Sequence, residues 1–152
     1  MRGLVWADTY RKLGNPRTQE EVEQFIAPFR VDFVKTARRF VREMFLPGSD
    51  EALVNWVATD MSAAPPEVAL LALEQAITFE SELLTSLRDL RVPMFAINPD
   101  YRPTDVESLQ RYRIKAVLMS GVAHFLMMED PLAFNRLLGK VIEEICGNRN
   151  VT

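Results

Sequence analysis

Cysteine occurs once in the 152 residues, at Cys146, so the chain can form no internal disulfide and no thiolate zinc cluster. Such usage suits a reducing compartment, and a cytoplasmic protein is the expectation. Charge of one sign is also scarce. The 18 basic and 21 acidic residues are interspersed and leave a net charge of −3, so no extended field exists to hold a polyanion, and nucleic-acid binding is not expected. No apolar run approaches the roughly 18 residues that would cross a bilayer. Asp8 falls where a signal peptide would need its apolar segment, so neither a membrane segment nor an export signal is expected. Repeats and low-complexity tracts are absent. What the chain does have is apolar material: 48% hydrophobic residues suffice for the core of one ordinary domain, taken as residues 1–152.

The order of periodicities sets the organisation. Gly3-Leu4-Val5-Trp6-Ala7 is a short apolar run of the kind buried on both faces of a sheet, and Asp8-Thr9 ends it. From about residue 18 to 90 the period becomes helical. Thr18 and Glu21 form a capping-box pattern. Val34, Ala37, Val41 and Phe45 make an apolar stripe opposite Lys35, Arg38, Arg39 and Arg42, and Pro47-Gly48 ends it. Further helices are predicted from Ser49 or Asp50 to about Met61, after Pro65-Pro66 through Val68, Leu71, Leu73 and Ile77, and through Leu83, Leu84 and Leu87. Strand signal returns at Val92 to Ile97 and again at Ile114 to Met119. Between them Thr104 and Glu107 form a second capping-box pattern for a helix ending near Tyr112. Asp130 and Pro131 open a last helix with Phe134, Leu137, Leu138, Val141, Ile142 and Ile145 as its buried stripe, stopped by Gly147. Strand, helix, strand, helix is the order of a parallel sheet with crossovers.

Ligands of an open parallel sheet bind beyond the carboxyl ends of its strands. The residues leaving the three strands include Asp8, Asp100 and His124, the last being the chain's single histidine. A carboxylate and an imidazole converging there form the orienter and base of a nucleophilic triad, because the carboxylate fixes the tautomer and stabilises the charged ring. Each aspartate has an ordinary role as well, bonding nearby backbone in a turn.

Gly121-Val122-Ala123-His124-Phe125-Leu126-Met127-Met128-Glu129-Asp130-Pro131, followed by Phe134-Asn135-Arg136-Leu137-Leu138, resembles the histidine loop and last helix of the α/β-hydrolase family. Val92 to Asn98 is similar to that family's penultimate strand, and Arg2 to Thr9 to the strand before its lid. Met61-Ser62-Ala63-Ala64-Pro65-Pro66-Glu67-Val68-Ala69 is similar to lid text. The resemblance implies a partial α/β-hydrolase fold, the carboxy-terminal part, with three parallel strands, flanking helices and a large helical lid (residues 11–90) inserted after the first strand. It implies hydrolysis of an ester or similar bond in a small apolar substrate, with His124 as general base and no metal or organic cofactor.

The sequence departs from the family at two positions. Aligning Pro99 with the glycine of the family's glycine-x-x-aspartate turn puts Arg102 where the acid belongs, and Ala123 replaces the glycine that precedes the histidine. The acid therefore remains open between Asp100 and Asp8, with Asp8 preferred. The glycine-x-serine-x-glycine elbow is absent: Gly48-Ser49 lies in the lid, and Ser120 is too close in sequence to His124. A fragment lacking its nucleophile half, inactive alone, is the expectation. The alternative is a non-catalytic remnant or interaction module that self-associates through the unpaired sheet edge. Trp56, Phe79, Met127 and Met128 could line a substrate cavity or serve as core. Arg38, Arg39 and Arg42 read as a solvated face, and Cys146 as an apolar filler.

Overall fold

Short β-branched and aromatic runs on either side of a helical tract are the raw material of a sheet with an insertion, and a computed structural model shows that arrangement for residues 1–147. The last five residues of the expected 1–152 domain lie outside the described residues. Strands β1 (Leu4–Ala7), β2 (Met94–Pro99) and β3 (Ile114–Met119) pair in that order, all parallel. Between β1 and β2 come α1 (Gln19–Val31), α2 (Phe33–Arg42), α3 (Glu51–Ser62), α4 (Pro66–Thr78) and α5 (Glu80–Asp89). Then follow α6 (Val106–Gln110) before β3, and α7 (Leu126–Glu129) and α8 (Pro131–Gly147) after it. The chain forms two compact units, one of Met1–Leu13 with Ser86 onward, the other of Gly14–Thr85.

In the sheet unit the pleat sorts the strands into two layers. Val5 lies beside Phe95, and Ala7, Ile97 and Val117 align across the sheet, as do Pro99 and Met119. Successive side chains alternate faces, so this row meets one core, built from Phe95, Ile97, Met119, Val122, Leu126 and Val141. Phe134, Leu137, Leu138 and Ile145 of α8 pack against it. The last helix covers this layer less completely than its period predicts: only Val141 is buried, and Ile142 and Cys146 are exposed. One covered face needs only one stripe, so Cys146 is no core filler. The central strand β2 is buried along its whole length, whereas β1, at an edge with one neighbour, is half-buried rather than enclosed on both faces.

Close approach of β1 to α8 depends on Gly3. A Cβ there would stand 2.8 Å from Ile145 Cγ2. Gly3→Ala is expected to lower stability by about 1–3 kcal/mol through overpacking. Urea denaturation would show a lower midpoint at unchanged slope, and Ile145→Ala in the same chain would recover part of the loss.

The helical unit forms where the caps foretell it. Thr18 accepts from the Glu21 amide, and the Glu21 carboxylate accepts from the Thr18 amide and hydroxyl, which holds that carboxyl below its ordinary range. Asp32 caps α2 and Asp50 caps α3, while Pro66 begins α4. Phe25, Phe29 and Phe40 form a three-ring cluster with centroids 5.5–5.7 Å apart. Ala37, Val41 and Phe45 are buried as the α2 stripe requires, but Val34 is exposed. The arginines of the opposite face are bonded: Arg38 to Ser62, Arg42 to Asn55, and Arg39 to Glu43. Helix α4 departs most from its pattern, burying none of its residues and leaving Val68 and Leu71 each 61% exposed. Trp56, Phe79 and Met127 are also exposed, so none of the three is core. No helix among the described residues is long and apolar enough to cross a membrane.

Candidate active site

The strand exits place the candidate residues. Asp8 follows β1 directly, and its amide donates to Ile97 O at 2.9 Å, so the ladder to β2 extends one residue past the strand. Its φ is +44°, in the left-handed region that aspartate tolerates better than most residues. The kink falls on Asp8 itself, and the bond from its own amide helps to hold it. Past β2, the Asn98 amide donates to Tyr10 O (3.1 Å) and Thr104 Oγ1 (3.3 Å), and the Asp105 amide donates to Arg11 O (2.8 Å). These bonds join the segment after β1 to the segment after β2.

The same bonds correct the second capping box. Asp105 caps α6, accepting from the Ser108 amide at 3.0 Å, and the helix is one residue out of the predicted frame. Two acceptors compete for the first-turn amides, and the Thr104 hydroxyl is engaged by Asn98. The helix also stops at Gln110, short of Tyr112.

The loop after β3 is fixed from both sides. Gly121 turns the chain with φ +79°, Val122 and Ala123 are buried, and the Ala123 amide donates to Glu129 Oε1 at 2.9 Å. Glu129 ends α7, a one-turn helix within the segment expected to be loop, and Asp130 caps α8 through the Ala133 amide. The glutamate of the Glu-x-Pro text thus ties down the residue before the histidine.

His124 Nδ1 stands 2.8 Å from Asp8 Oδ2. An ionised carboxylate can only accept, so the ring donates to it from Nδ1, and in the neutral ring Nε2 is then the acceptor. The two side chains differ in exposure: that of Asp8 is 1% exposed and that of His124 37%. A buried carboxylate bonded to a partly exposed imidazole is an arrangement able to pass a proton to or from a bound group. Phe125 meets the ring edge-on at a centroid distance of 5.0 Å.

Asp100 is otherwise engaged. Its amide donates to Met119 O and its Oδ2 accepts from the Ser120 hydroxyl. Of the two aspartates, Asp8 is therefore the one that meets the imidazole. Two residues that reading the sequence missed also belong to the cluster. Arg11 Nη2 donates to Asp8 Oδ2 at 2.7 Å and to the Tyr101 hydroxyl at 3.0 Å, and its guanidinium lies 4.9 Å from the Tyr101 ring centroid. A basic residue three positions after a candidate acid was the only available signal for Arg11; nothing local pointed to Tyr101.

A parallel sheet with an acid leaving its first strand, a helical insertion behind that acid and a histidine beyond its third strand is part of an α/β-hydrolase-type fold. Solved structures that share it include the following two. The chain is similar to a bromoperoxidase from Bacillus anthracis, with a TM-score of 0.68 and 16% identity over 93% of this chain and 58% of that one. It is similar to Cfl2 from Burkholderia cenocepacia, with a TM-score of 0.61 and 17% identity over 92% and 56%. The chain thus spans a little over half the length of either neighbour. No protein-family model matches the sequence, and no curated protein matches it.

Proposed function

We propose that this chain is the histidine-bearing part of a hydrolase that cleaves an ester or similar bond in a small, apolar molecule. The observation that carries the reading is the 2.8 Å contact between the half-exposed imidazole of His124 and the buried carboxylate of Asp8. In this reading Nε2 of His124 takes the proton of an attacking hydroxyl, which adds to the substrate carbonyl. The imidazolium then gives that proton to the departing alcohol, and a water activated by the same nitrogen releases the acid. Asp8 holds the ring in the Nδ1-protonated tautomer and stabilises its charge. Asp100 takes no part.

The serine elbow and the oxyanion donors come, on this proposal, from a segment outside the sequence, which contains no glycine-x-serine-x-glycine text. The outer edge of β1 gives such a segment a place: among the described residues no strand pairs there. Without it, two copies of the chain would associate through that edge.

Nitrophenyl esters test the reading. The chain by itself is expected to stay at the buffer rate. If the coding DNA continues in frame upstream into a serine elbow, the longer polypeptide is expected to turn over, and His124→Ala to remove about 10³-fold or more of that rate. Turnover by the longer polypeptide that survives His124→Ala would overturn the assignment of the base.

A further inference from the structure

Arg11 and His124 compete for one atom. Both donate to Asp8 Oδ2, at 2.7 and 2.8 Å, while Asp8 Oδ1 and Arg11 Nε are buried without a hydrogen-bond partner among the described residues. An arginine facing a carboxylate ordinarily offers two parallel bonds to its two oxygens. Here it makes one, to the oxygen already holding the imidazole. Tyr101 fixes it there, through the bond to its hydroxyl and through the ring face.

We propose that Arg11 is a positioning residue that keeps His124 in its neutral, proton-accepting form by neutralising the charge of Asp8. The inference rests on the reading of His124 as a base. A buried carboxylate facing an imidazole alone would favour the protonated ring, since that state leaves the pair uncharged. With Arg11 on the same oxygen, the cluster is uncharged when the ring is neutral, and protonating the ring adds a net positive charge beside a guanidinium. A resting base must be unprotonated to act, so the arginine sets the enzyme's starting state and Asp8 retains its hold on the tautomer. The other charged groups nearby are already engaged. Arg102 lies over the Tyr101 ring, Asp100 accepts from Ser120, and Glu129 accepts from the Ala123 amide.

The single histidine makes the test direct, because the ring Hε1 signal in a proton NMR titration belongs to His124 alone. In Arg11→Gln the midpoint of that titration is expected to rise by on the order of one pH unit. Arg11→Lys, which keeps the charge, is expected to restore most of the original value. Tyr101→Phe loosens Arg11 without removing it and should move the midpoint in the same direction by less, which keeps the test decisive if Arg11→Gln does not fold. An unchanged or lowered midpoint in folded Arg11→Gln or Tyr101→Phe would overturn the proposal. The titration needs no turnover. A raised midpoint together with an ester hydrolysis rate indifferent to His124→Ala would leave the charge coupling standing and sink the base instead.

Discussion

Under the proposed function, replacing Asp8 with asparagine is expected to lower the kcat of the nucleophile-complete polypeptide by about 10⁴-fold while leaving the fold in place. An asparagine side chain has nearly the shape of the aspartate and can still meet the imidazole. It carries no charge, though, and its amide nitrogen donates, so the ring is no longer held with its proton on Nδ1 and its acceptor at Nε2. The imidazolium formed during proton transfer also loses its counter-charge, and Arg11 stays beside it as a repulsive neighbour. Steady-state kinetics with a nitrophenyl ester would measure the loss, and circular dichroism would show whether the helices survive. Asp100→Asn serves as the comparison: its carboxylate engages Ser120, and its rate is expected to stay within a few-fold of the parent. The opposite ranking would return the acid's role to Asp100.

Ile97→Ala should be the most damaging of the simple core truncations. Ile97 has no exposed surface, sits on the central strand and joins Phe95, Met119, Val122, Leu126 and Val141 in the sheet unit's core. Removing three carbons there forfeits their transfer from water and leaves a cavity that a close-packed surround closes only in part, at about 2–5 kcal/mol. For a protein of this size that is a large fraction of the total stability. The urea midpoint would register it. Leu118→Ala provides the contrast, since Leu118 is half-exposed on β3 and its truncation is expected to stay within about 0.5 kcal/mol. Equal losses at the two positions would mean that the sheet's layers are wrongly described.

Much of this was legible in the residues. Thr18 with Glu21, Asp130 with Pro131, and Pro65-Pro66 marked helix starts because caps act within one turn and need no distant partner. The three apolar runs marked strands because they were short and punctuated by turn residues. Asp8, Asp100 and His124 could be picked out as strand exits, since parallel sheets send their ligand-facing loops from one end. The errors fell where a neighbour decided the matter. Asp105 outcompeted Thr104 as a cap once Asn98 had taken the threonine hydroxyl. Helix α4 has apolar residues at helical spacing yet buries none, and Ile142 of the last helix's expected stripe is exposed, because period shows which residues share a face and not whether anything covers it.

The sequence by itself determined the alternation of strand and helix, the starts of most helices, and the short set of residues able to carry acid–base chemistry, because these depend on local bonding and on spacing along the chain. Only the tertiary structure decided that Asp8 rather than Asp100 meets His124, and that Arg11 and Tyr101 join them. Asp8 and His124 are separated by 116 positions in the chain. Their contact follows from parallel pairing through β2, which is a property of the folded sheet that no local stretch of text contains.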